Sequence, residues 1–244
     1  MLYMQENITI ELNSKTKAYG VLLKLKNPAD RLIILVHGFL SNQEHHLFYN
    51  AAKYFYQRGY NTFRYNLYGP QNDARKANST NFATFASDLS KIIAWFERHY
   101  SQIILVSHSL GAFIILLTKQ RAISSLVLWE PSLHPKEMLK NVKKDAPYYI
   151  FNLGYQVRIH REAATSMLDV PDLDNILDKI NKPIAIISAE KTGKKIGKYF
   201  YTLASEPKKF SVIKGAGHNF DEEGTELQLF KLTLKWLEDR KQSE

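Results

Sequence analysis

Cysteine is absent from the 244 residues of this sequence. The chain therefore has no disulfide bond, no zinc site built on thiolates and no catalytic thiol, and its composition is compatible with a reducing compartment. No apolar run approaches the roughly 20 residues that a membrane-spanning helix needs. The first residues, MLYMQENITIEL, carry acidic and amide groups where a signal peptide has an apolar core. These absences predict a cytoplasmic protein without an integral membrane segment.

Acidic residues are fewer than basic ones: 24 Asp and Glu stand against 33 Lys and Arg, a formal net charge of +9 at pH 7. An excess of basic charge can bind nucleic acid, an anionic membrane surface or an acidic substrate. Here the lysines are scattered, as at Lys24, Lys140, Lys191 and Lys198, and form no single block interleaved with aromatic residues. We therefore expect a solvated basic surface and no nucleic-acid partner.

Short apolar runs alternate with amphipathic stretches along most of the chain. The runs RLIILV, YNTFRY, QIILVS, SLVLW, PIAIIS and KKFSVI have the composition of strands covered on both faces. The stretches HHLFYNAAKYFYQRG, NFATFASDLSKIIAWFERHY, SLGAFIILLTKQ, GKKIGKYFYTLAS and GTELQLFKLTLKWLEDRK have helical period. This alternation predicts an α/β fold in one domain, residues 1–244, with a mostly parallel central sheet and helices on both faces. The opening ITIELNSKTKAYGVLLKL predicts an antiparallel hairpin at one sheet edge.

Residues 131–182 interrupt this rhythm, because the segment is too long for a single crossover helix. It holds two helical patches, PKEMLKNVKKDA and DLDNILDKI, and aromatic residues at Tyr148, Tyr149, Phe151 and Tyr155. Long insertions in a compact domain are usually lids or binding elements. We predict a lid inserted between the third-last and second-last strand–helix units. Its residues Tyr148, Phe151 and Tyr155 either line a substrate pocket or pack the lid onto the core.

The stretch QIILVSHSLGAFIILL puts Ser109 between a predicted strand and a predicted helix. On a tight turn at that point the hydroxyl is held at the carboxyl edge of the sheet, with backbone N–H groups of the helix behind it. Such a turn is crowded, which explains the small residues Ser107, Gly111 and Ala112 around the serine. This position predicts a nucleophile, although a serine after a strand is also a common helix cap.

The segment S-H-S-L-G resembles the G-x-S-x-G nucleophile elbow of the α/β-hydrolase family, with Ser107 in place of the first glycine. Two further segments occur in the order of that family: VHGFLSN after the strand RLIILV, and KKFSVIKGAGHNF after the last strand. The resemblance covers nearly the whole chain. It implies that backbone N–H groups of Phe39 and Leu110 form an oxyanion hole and that His218 is the general base for Ser109.

The carboxylate of the catalytic triad is missing from its usual place. In the family it follows the strand before the last in a G-x-x-D pattern, and PIAIISAEKTG aligns Thr192 there. Two acids remain as candidates. Glu130 ends SLVLWEPS, at a strand end that supplies the acid in some lipases and dehalogenases of this fold, and Glu190 lies two residues before Thr192. We favour Glu130, with Glu190 as the alternative, and set Asp221 aside because it is too close to His218 in sequence.

Four further histidines are interpreted as structural. His37 is expected to pack below the oxyanion segment, and His108 to sit beside the elbow without a chemical role. The pair His45 and His46 suggests metal ligands, but no second cluster completes a site, so we interpret it as the start of a surface helix. The sequence predicts no metal and no cofactor.

The resemblance is strongest to small bacterial esterases and monoacylglycerol lipases. It implies a serine hydrolase that cleaves a small-molecule carboxylic ester, or a thioester, through an acyl-enzyme on Ser109. Where those proteins have a D-x-x-G-x-G-x-S turn, this chain has NLYGPQND, with Asn66 in place of the aspartate and Gln71 in place of the second glycine. The main alternative is a non-catalytic binding protein with a degraded triad. A third function, nucleic-acid binding, predicts steeply salt-dependent retention of DNA.

Overall fold

A computed structural model describes residues 4–26, 30–77, 80–119, 121–140, 142–152 and 156–241. The strands are β1 Gln5–Asn13, β2 Thr16–Leu23, β3 Arg31–Val36, β4 Asn61–Tyr65, β5 Gln102–His108, β6 Ile123–Trp129, β7 Lys143–Asp145, β8 Tyr148–Asn152, β9 Gln156–His160, β10 Ile184–Ala189 and β11 Lys208–Ile213. The helices are α1 His46–Tyr56, α2 Phe82–Phe96, α3 Gly111–Leu117, α4 Pro135–Lys140, α5 Arg161–Thr165, α6 Leu173–Leu177, α7 Lys194–Leu203 and α8 Thr225–Lys241, with a 3-10 turn at Ser166–Asp169.

Eight of the strands form one sheet in the order β1-β2-β4-β3-β5-β6-β10-β11. From β4 to β11 the neighbouring strands are parallel, whereas β2 is antiparallel to both β1 and β4. The pairing of Asn13 with Thr16 closes the β1–β2 hairpin at the sheet edge. The predicted edge hairpin is therefore present, and the rest of the sheet has the parallel form that the alternating pattern indicated.

The central strands are apolar on both faces because each face is covered by helices. On β3, Ile33 and Leu35 belong to the core that includes α1 and α8, whereas Ile34 and Val36 belong to the core that includes α2 and α3. Successive side chains of a strand point to opposite faces, so a strand buried on both sides must be apolar at every position. Two hydrophobic cores on opposite faces therefore hold the sheet rigid beneath the site described below.

Helix α2 shows how local sequence sets an element boundary. The side chain of Asn81 accepts a hydrogen bond from the backbone N–H of Thr84 at 2.8 Å, which satisfies one donor of the first turn. Leu89, Ile92 and Phe96, spaced three and four residues apart, are buried against the sheet.

The segment between β6 and β10 holds a second, three-stranded sheet in the order β7-β8-β9. The prediction of one helical patch over PKEMLKNVKKDA is wrong in its second half. Helix α4 ends at Lys140, and Lys143–Asp145 pairs antiparallel with β8. Pro147 lies just beyond this strand and has no backbone N–H to continue a helix. Tertiary pairing with β8 therefore outweighs the helical propensity of the lysine-rich stretch.

The carboxyl ends of the parallel strands meet at one edge of the main sheet, which brings together residues far apart in sequence. Strand β5 ends at His108 directly before Ser109, and β6 ends at Trp129 directly before Glu130. The loops after β3, β10 and β11 emerge at the same edge. Within the described segments, no helix is long and apolar enough to span a bilayer.

Candidate active site

Ser109 occupies a sharp turn between β5 and α3 and has a backbone φ of 56°. The left-handed region costs a non-glycine residue roughly 1–2 kcal/mol, so the surrounding packing must hold it there. Gly111 shows how tight this packing is, because a Cβ at that position would lie 2.8 Å from the carbonyl oxygen of His37. The small residues around Ser109 are therefore a steric requirement of the turn.

His218 reaches Ser109 from the loop that follows β11. Its Nε2 lies 3.1 Å from the Oγ of Ser109, which is hydrogen-bond distance. In chain order the two residues are 109 positions apart. The geometry allows the imidazole to accept the serine proton.

His108 fixes the backbone of this histidine. Its Nε2–H donates to the carbonyl oxygen of His218 at 2.8 Å, and the two rings lie 4.8 Å apart between centroids. Burial, with a smaller contribution from the charge of His218, lowers the pKa of His108 to about 3. The ring is therefore neutral over the ordinary pH range and holds His218 in place without competing for its proton. Sequence reasoning gave His108 no role; its only signal was its position next to the nucleophile.

Glu130 lies directly after β6, is 1% exposed and has a φ of 45°. Its Oε1 is 3.7 Å from the Nδ1 of His218, which is ion-pair distance but longer than a hydrogen bond. Catalytic hydrogen bonds are often long without substrate and shorten in the reacting complex. The carboxylate is therefore on the correct side of the imidazole to orient it.

The last residue of β10 and the loop after it hold the Glu130 carboxylate with two hydrogen bonds. The backbone N–H of Ala189 donates to Oε2 at 2.7 Å, and the hydroxyl of Thr192 donates to Oε1 at 2.5 Å. A Cβ at Gly193 would lie 2.2 Å from Oε2, so only glycine leaves room for the carboxylate. Thr192 is the residue that aligns with the usual aspartate. Glu130 follows β6, and its carboxylate is hydrogen-bonded at the position where the family usually carries an aspartate.

The other two acids face different partners. Glu190 accepts a hydrogen bond from the backbone N–H of Gly215 at 3.0 Å and is exposed. Asp221 pairs with the Nε2 of His46 at 2.8 Å. Among the described residues, Glu130 alone is within ion-pair distance of His218.

Gly38, directly before Phe39, lies against Ser109, because a Cβ at Gly38 would be 3.0 Å from the Cβ of Ser109. The backbone N–H groups of Phe39 and Leu110 have no backbone acceptor within the described part of the chain. Hydrogen bonds of the His37 side chain fix the backbone segment that carries Phe39. The N–H of Leu67 donates to Nε2 of His37 at 3.0 Å, so the Nδ1–H of His37 donates to the carbonyl oxygen of Gly38 at 2.7 Å. Burial lowers the pKa of His37 to about 4, which keeps this tautomer neutral.

Backbone strain is concentrated around this site. In the described segments, four non-glycine residues have positive φ: Leu40, Ser109, Glu130 and Phe220. Leu40 follows Phe39, and Phe220 lies two residues after His218. Strained conformations of this kind cluster where surrounding structure holds a functional geometry in place.

The histidine pair at positions 45 and 46 forms the start of α1. His46 contacts two carboxylates, Asp221 and Glu226, each at 2.8 Å, and its ring lies 4.4 Å from that of His45. The residues that the structure describes contain no cluster of three or more side chains able to hold a metal ion.

The three aromatic residues predicted to contact substrate have different environments. Phe151 is 3% exposed, and its ring lies 6.0 Å from that of Phe39. Tyr148 is 38% exposed and packs against His160 instead. Tyr155 lies outside the described residues. Tyr148 and Phe151 lie three residues apart on β8, so their side chains point to opposite faces of the strand.

Comparison with known proteins supports the fold. The family model for serine aminopeptidases of type S33 matches residues 27–169, more than half of the chain. No curated protein sequence matches at a significant level. Est1E from Butyrivibrio proteoclasticus, solved with ferulic acid bound, is 16% identical with a TM-score of 0.79, covering 94% of this chain and 99% of its own.

Two further solved structures are similar. The α/β hydrolase GrgF from Penicillium sp. sh18 is 15% identical with a TM-score of 0.78, covering 96% of this chain and 98% of its own. The esterase domain of a Rhodothermus marinus protein is 16% identical with a TM-score of 0.72, covering 96% and 97%. These likenesses confirm the predicted α/β-hydrolase fold.

Proposed function

Because the chain belongs to the serine aminopeptidase S33 family of α/β hydrolases, we propose that it is a serine hydrolase that cleaves a carboxylic ester through an acyl-enzyme on Ser109. The observation that carries this proposal is the line of three side chains at the sheet edge. Ser109 Oγ lies 3.1 Å from one nitrogen of His218, and the carboxylate of Glu130 lies 3.7 Å from the other.

Acylation begins when His218 Nε2 takes the proton of the Ser109 hydroxyl as its Oγ attacks the ester carbonyl carbon. The carbonyl oxygen gains negative charge and accepts hydrogen bonds from the N–H groups of Phe39 and Leu110. Each such donor is typically worth about 3–4 kcal/mol in the transition state. His218 then gives the proton to the alcohol oxygen as the ester bond breaks, which releases the alcohol.

Deacylation repeats the sequence with water. His218 takes a proton from water as its oxygen attacks the acyl-enzyme, and returns that proton to Ser109 Oγ as the acid leaves. In both steps the imidazolium is next to the Glu130 carboxylate, which stabilises the positive charge and keeps Nδ1–H directed away from the serine. The hydrogen bonds from Ala189 and Thr192 keep the carboxylate in this orientation.

We also propose that the chain is one domain in which residues 131–182 form a lid. Two contacts support this role. Phe151 packs against Phe39 of the oxyanion segment, and His134 contacts Phe113 of α3 with ring centroids 5.4 Å apart. The insertion thus lies against the residues that follow β3 and β5, where substrate has to enter.

Labelling with an alkyl fluorophosphonate tests the nucleophile. The wild-type protein is expected to be labelled once, Ser109→Ala not at all, and the matched control Ser107→Ala as wild type. Hydrolysis of p-nitrophenyl acetate should follow the same pattern. Labelling that persists in Ser109→Ala overturns the mechanism. If the folded wild-type protein is neither labelled nor active, the alternative function applies, that of a binding protein with a degraded triad.

A further inference from the structure

His46, the first residue of α1, connects the two segments that carry groups of the proposed mechanism. It ends the segment that follows β3 and contains Phe39. Its ring contacts Asp221 and Glu226, which come three and eight residues after His218. The steps of acylation and deacylation use none of these three side chains. Their contacts nevertheless join the oxyanion segment to the loop of the general base.

Both ring nitrogens of His46 face carboxylate oxygens. Nδ1 lies 2.8 Å from Oε1 of Glu226, with hydrogen-bond geometry. Nε2 lies 2.8 Å from Oδ1 of Asp221, at ion-pair distance but without the direction of a hydrogen bond. A neutral imidazole carries only one N–H, so its other nitrogen would direct a lone pair at a carboxylate. The two contacts together therefore require the imidazolium form of His46.

The ionisable side chains that face His46 come from four parts of the fold. They are His45 on α1, His108 at the end of β5, Asp221 in the loop after β11 and Glu226 on α8. Burial, followed by the charge of His46, lowers the pKa of His45, and burial is also the main cause that lowers the pKa of His108 to about 3. Both of these rings are neutral near pH 7, so the two carboxylates share a single imidazolium.

Helix α1 provides a fixed point for these contacts. Phe48, two residues after His46, is 1% exposed within the core that includes α8. The side-chain amide of Asn50 donates to both carboxylate oxygens of Glu226, at 3.2 and 3.0 Å. The start of α8 is therefore held on α1 even without His46. Asp221, in the loop before α8, is 65% exposed and contacts α1 through His46.

The loop between β11 and α8 sets the position of the general base. His218 Nε2 lies 3.1 Å from Ser109 Oγ, and His108 holds the backbone of His218 from one side. Asp221 comes three residues later and attaches the same loop to α1. A misplacement of about 1 Å at a reacting group can cost about 10²-fold in rate. A contact at Asp221 is therefore close enough to the base to affect the reaction.

We propose that His46 is a positioning residue for the general base. As an imidazolium it bridges Asp221 and Glu226 and thereby fixes the loop that carries His218. When the ring loses its proton, one of the two contacts becomes repulsive, the loop is released, and hydrolysis slows. This proposal rests on the proposed function, because the loop matters only if His218 is the base.

The dependence of kcat on pH tests this role. Hydrolysis of p-nitrophenyl butyrate is measured over a pH range that spans the titration of His46, corrected with Ser109→Ala and expressed per serine labelled by fluorophosphonate. The titration itself is measured by NMR of the imidazole nitrogens, with the signal identified by its absence in His46→Gln. Because exposed ion pairs are individually weak, we expect wild-type kcat to fall only about three- to tenfold as His46 loses its proton, with KM nearly unchanged. His46→Gln should have the lower kcat throughout and show no such fall.

A conservative variant separates the charge of this contact from its presence. The side-chain amide in Asp221→Asn accepts from the charged ring through its oxygen and donates to the neutral ring through its nitrogen. We therefore expect Asp221→Asn to match wild-type kcat at the acidic end and to lack the alkaline fall, whereas Asp221→Ala should lose as much kcat as His46→Gln. The matched control is His99→Gln, an exposed histidine before β5 at the opposite edge of the sheet, which should behave as wild type.

Three results would overturn the role of His46 and leave the serine mechanism intact. They are a wild-type kcat that stays constant as His46 titrates, an alkaline fall that persists in His46→Gln or in Asp221→Asn, and a lower melting temperature in His46→Gln with an unchanged pH profile. Asp221 is largely exposed, so its variants give the answer even if His46→Gln does not fold. A wild-type protein without Ser109-dependent hydrolysis would overturn the proposed function and this inference together.

Discussion

At the scale of single residues, the side chain of Glu130 is fixed in position by its surroundings. It is buried, strained in backbone conformation and hydrogen-bonded by a neighbouring loop. A strained backbone conformation persists only if the surrounding structure compensates for its cost. Residues of this kind are common at functional sites. Gly193 has no side chain, and any side chain at this position would displace the carboxylate of Glu130.

We predict that Glu130→Gln lowers kcat by two to four orders of magnitude while KM changes little, and that Glu190→Gln stays within about threefold of wild type. An orienting carboxylate contributes on the order of 10⁴ in kcat in the serine-protease template. Glu190 instead contacts Gly215. Steady-state hydrolysis of p-nitrophenyl butyrate by the two variants measures the difference.

A double variant provides the control for this prediction. Glu130→Gln with Thr192→Asp returns a carboxylate to the loop position that the family normally uses, so part of the lost kcat should return. The opposite ranking of the single variants would make Glu190 the acid. If neither substitution matters although Ser109→Ala is inactive, the enzyme works with a serine–histidine dyad.

At the scale of elements, the inserted sheet packs on the core with the face that carries Tyr149 and Phe151. On β8, Tyr149 and Phe151 pack toward the main core, while Tyr148 is exposed on the other side. Phe151 joins this sheet to Phe39 of the oxyanion segment. The contact links the position of the insertion to the position of a proposed catalytic N–H group.

We predict that Phe151→Ala lowers the free energy of unfolding by about 3 kcal/mol and reduces kcat, because a buried aromatic ring is lost where it supports Phe39. Tyr148→Ala should change stability by no more than about 0.5 kcal/mol, since its side chain is largely exposed. Urea denaturation and ester hydrolysis measure both effects. A shift in chain-length preference in Tyr148→Ala, without loss of stability, would instead show that this residue contacts substrate.

At the scale of the whole molecule, two neutral histidines are buried at the sheet edge that carries the site. Burial lowers the pKa of His37 to about 4 and that of His108 to about 3, from an ordinary value of 6.5. The unfolded chain therefore binds protons at these two residues at a higher pH than the folded protein does. Between the lowered pKa values and 6.5, the two histidines therefore make the free energy of unfolding increase with pH. This contribution is lost as the solution is acidified.

We predict that the free energy of unfolding falls as pH drops from 6.5 toward 4, with each histidine contributing up to about 1.4 kcal/mol per pH unit. Urea titrations at half-unit pH steps measure the slope. In His108→Gln, which keeps an N–H donor but does not titrate, the slope should decrease by up to the contribution of one histidine. Glu222, whose pKa is lowered to about 2 mainly by its hydrogen bond from Lys191, contributes mostly below about pH 4.5, so it overlaps only the acidic end of this range and is equally present in the variant. An equal slope in the variant would contradict the assignment.

The sequence by itself determined the architecture of this protein. Strands buried on both faces must be apolar throughout, and helices on a sheet must be amphipathic, so the alternation of these patterns predicts the parallel sheet. The crowded turn at Ser109 requires small neighbours, and the order of the elbow, the oxyanion segment and the His218 loop indicated the family. These signals are local in sequence, which is why one chain was sufficient to predict them.

Only the tertiary structure decided which distant groups meet. The choice between Glu130 and Glu190 depends on the direction of each side chain and on hydrogen-bond donors 59 and 62 residues away from Glu130. The strand at Lys143–Asp145 depends on pairing with β8. The contact between His108 and His218 joins the end of β5 to a loop 110 residues later in the chain. Such interactions depend on which loops the strand order makes neighbours, and no local sequence pattern predicts them.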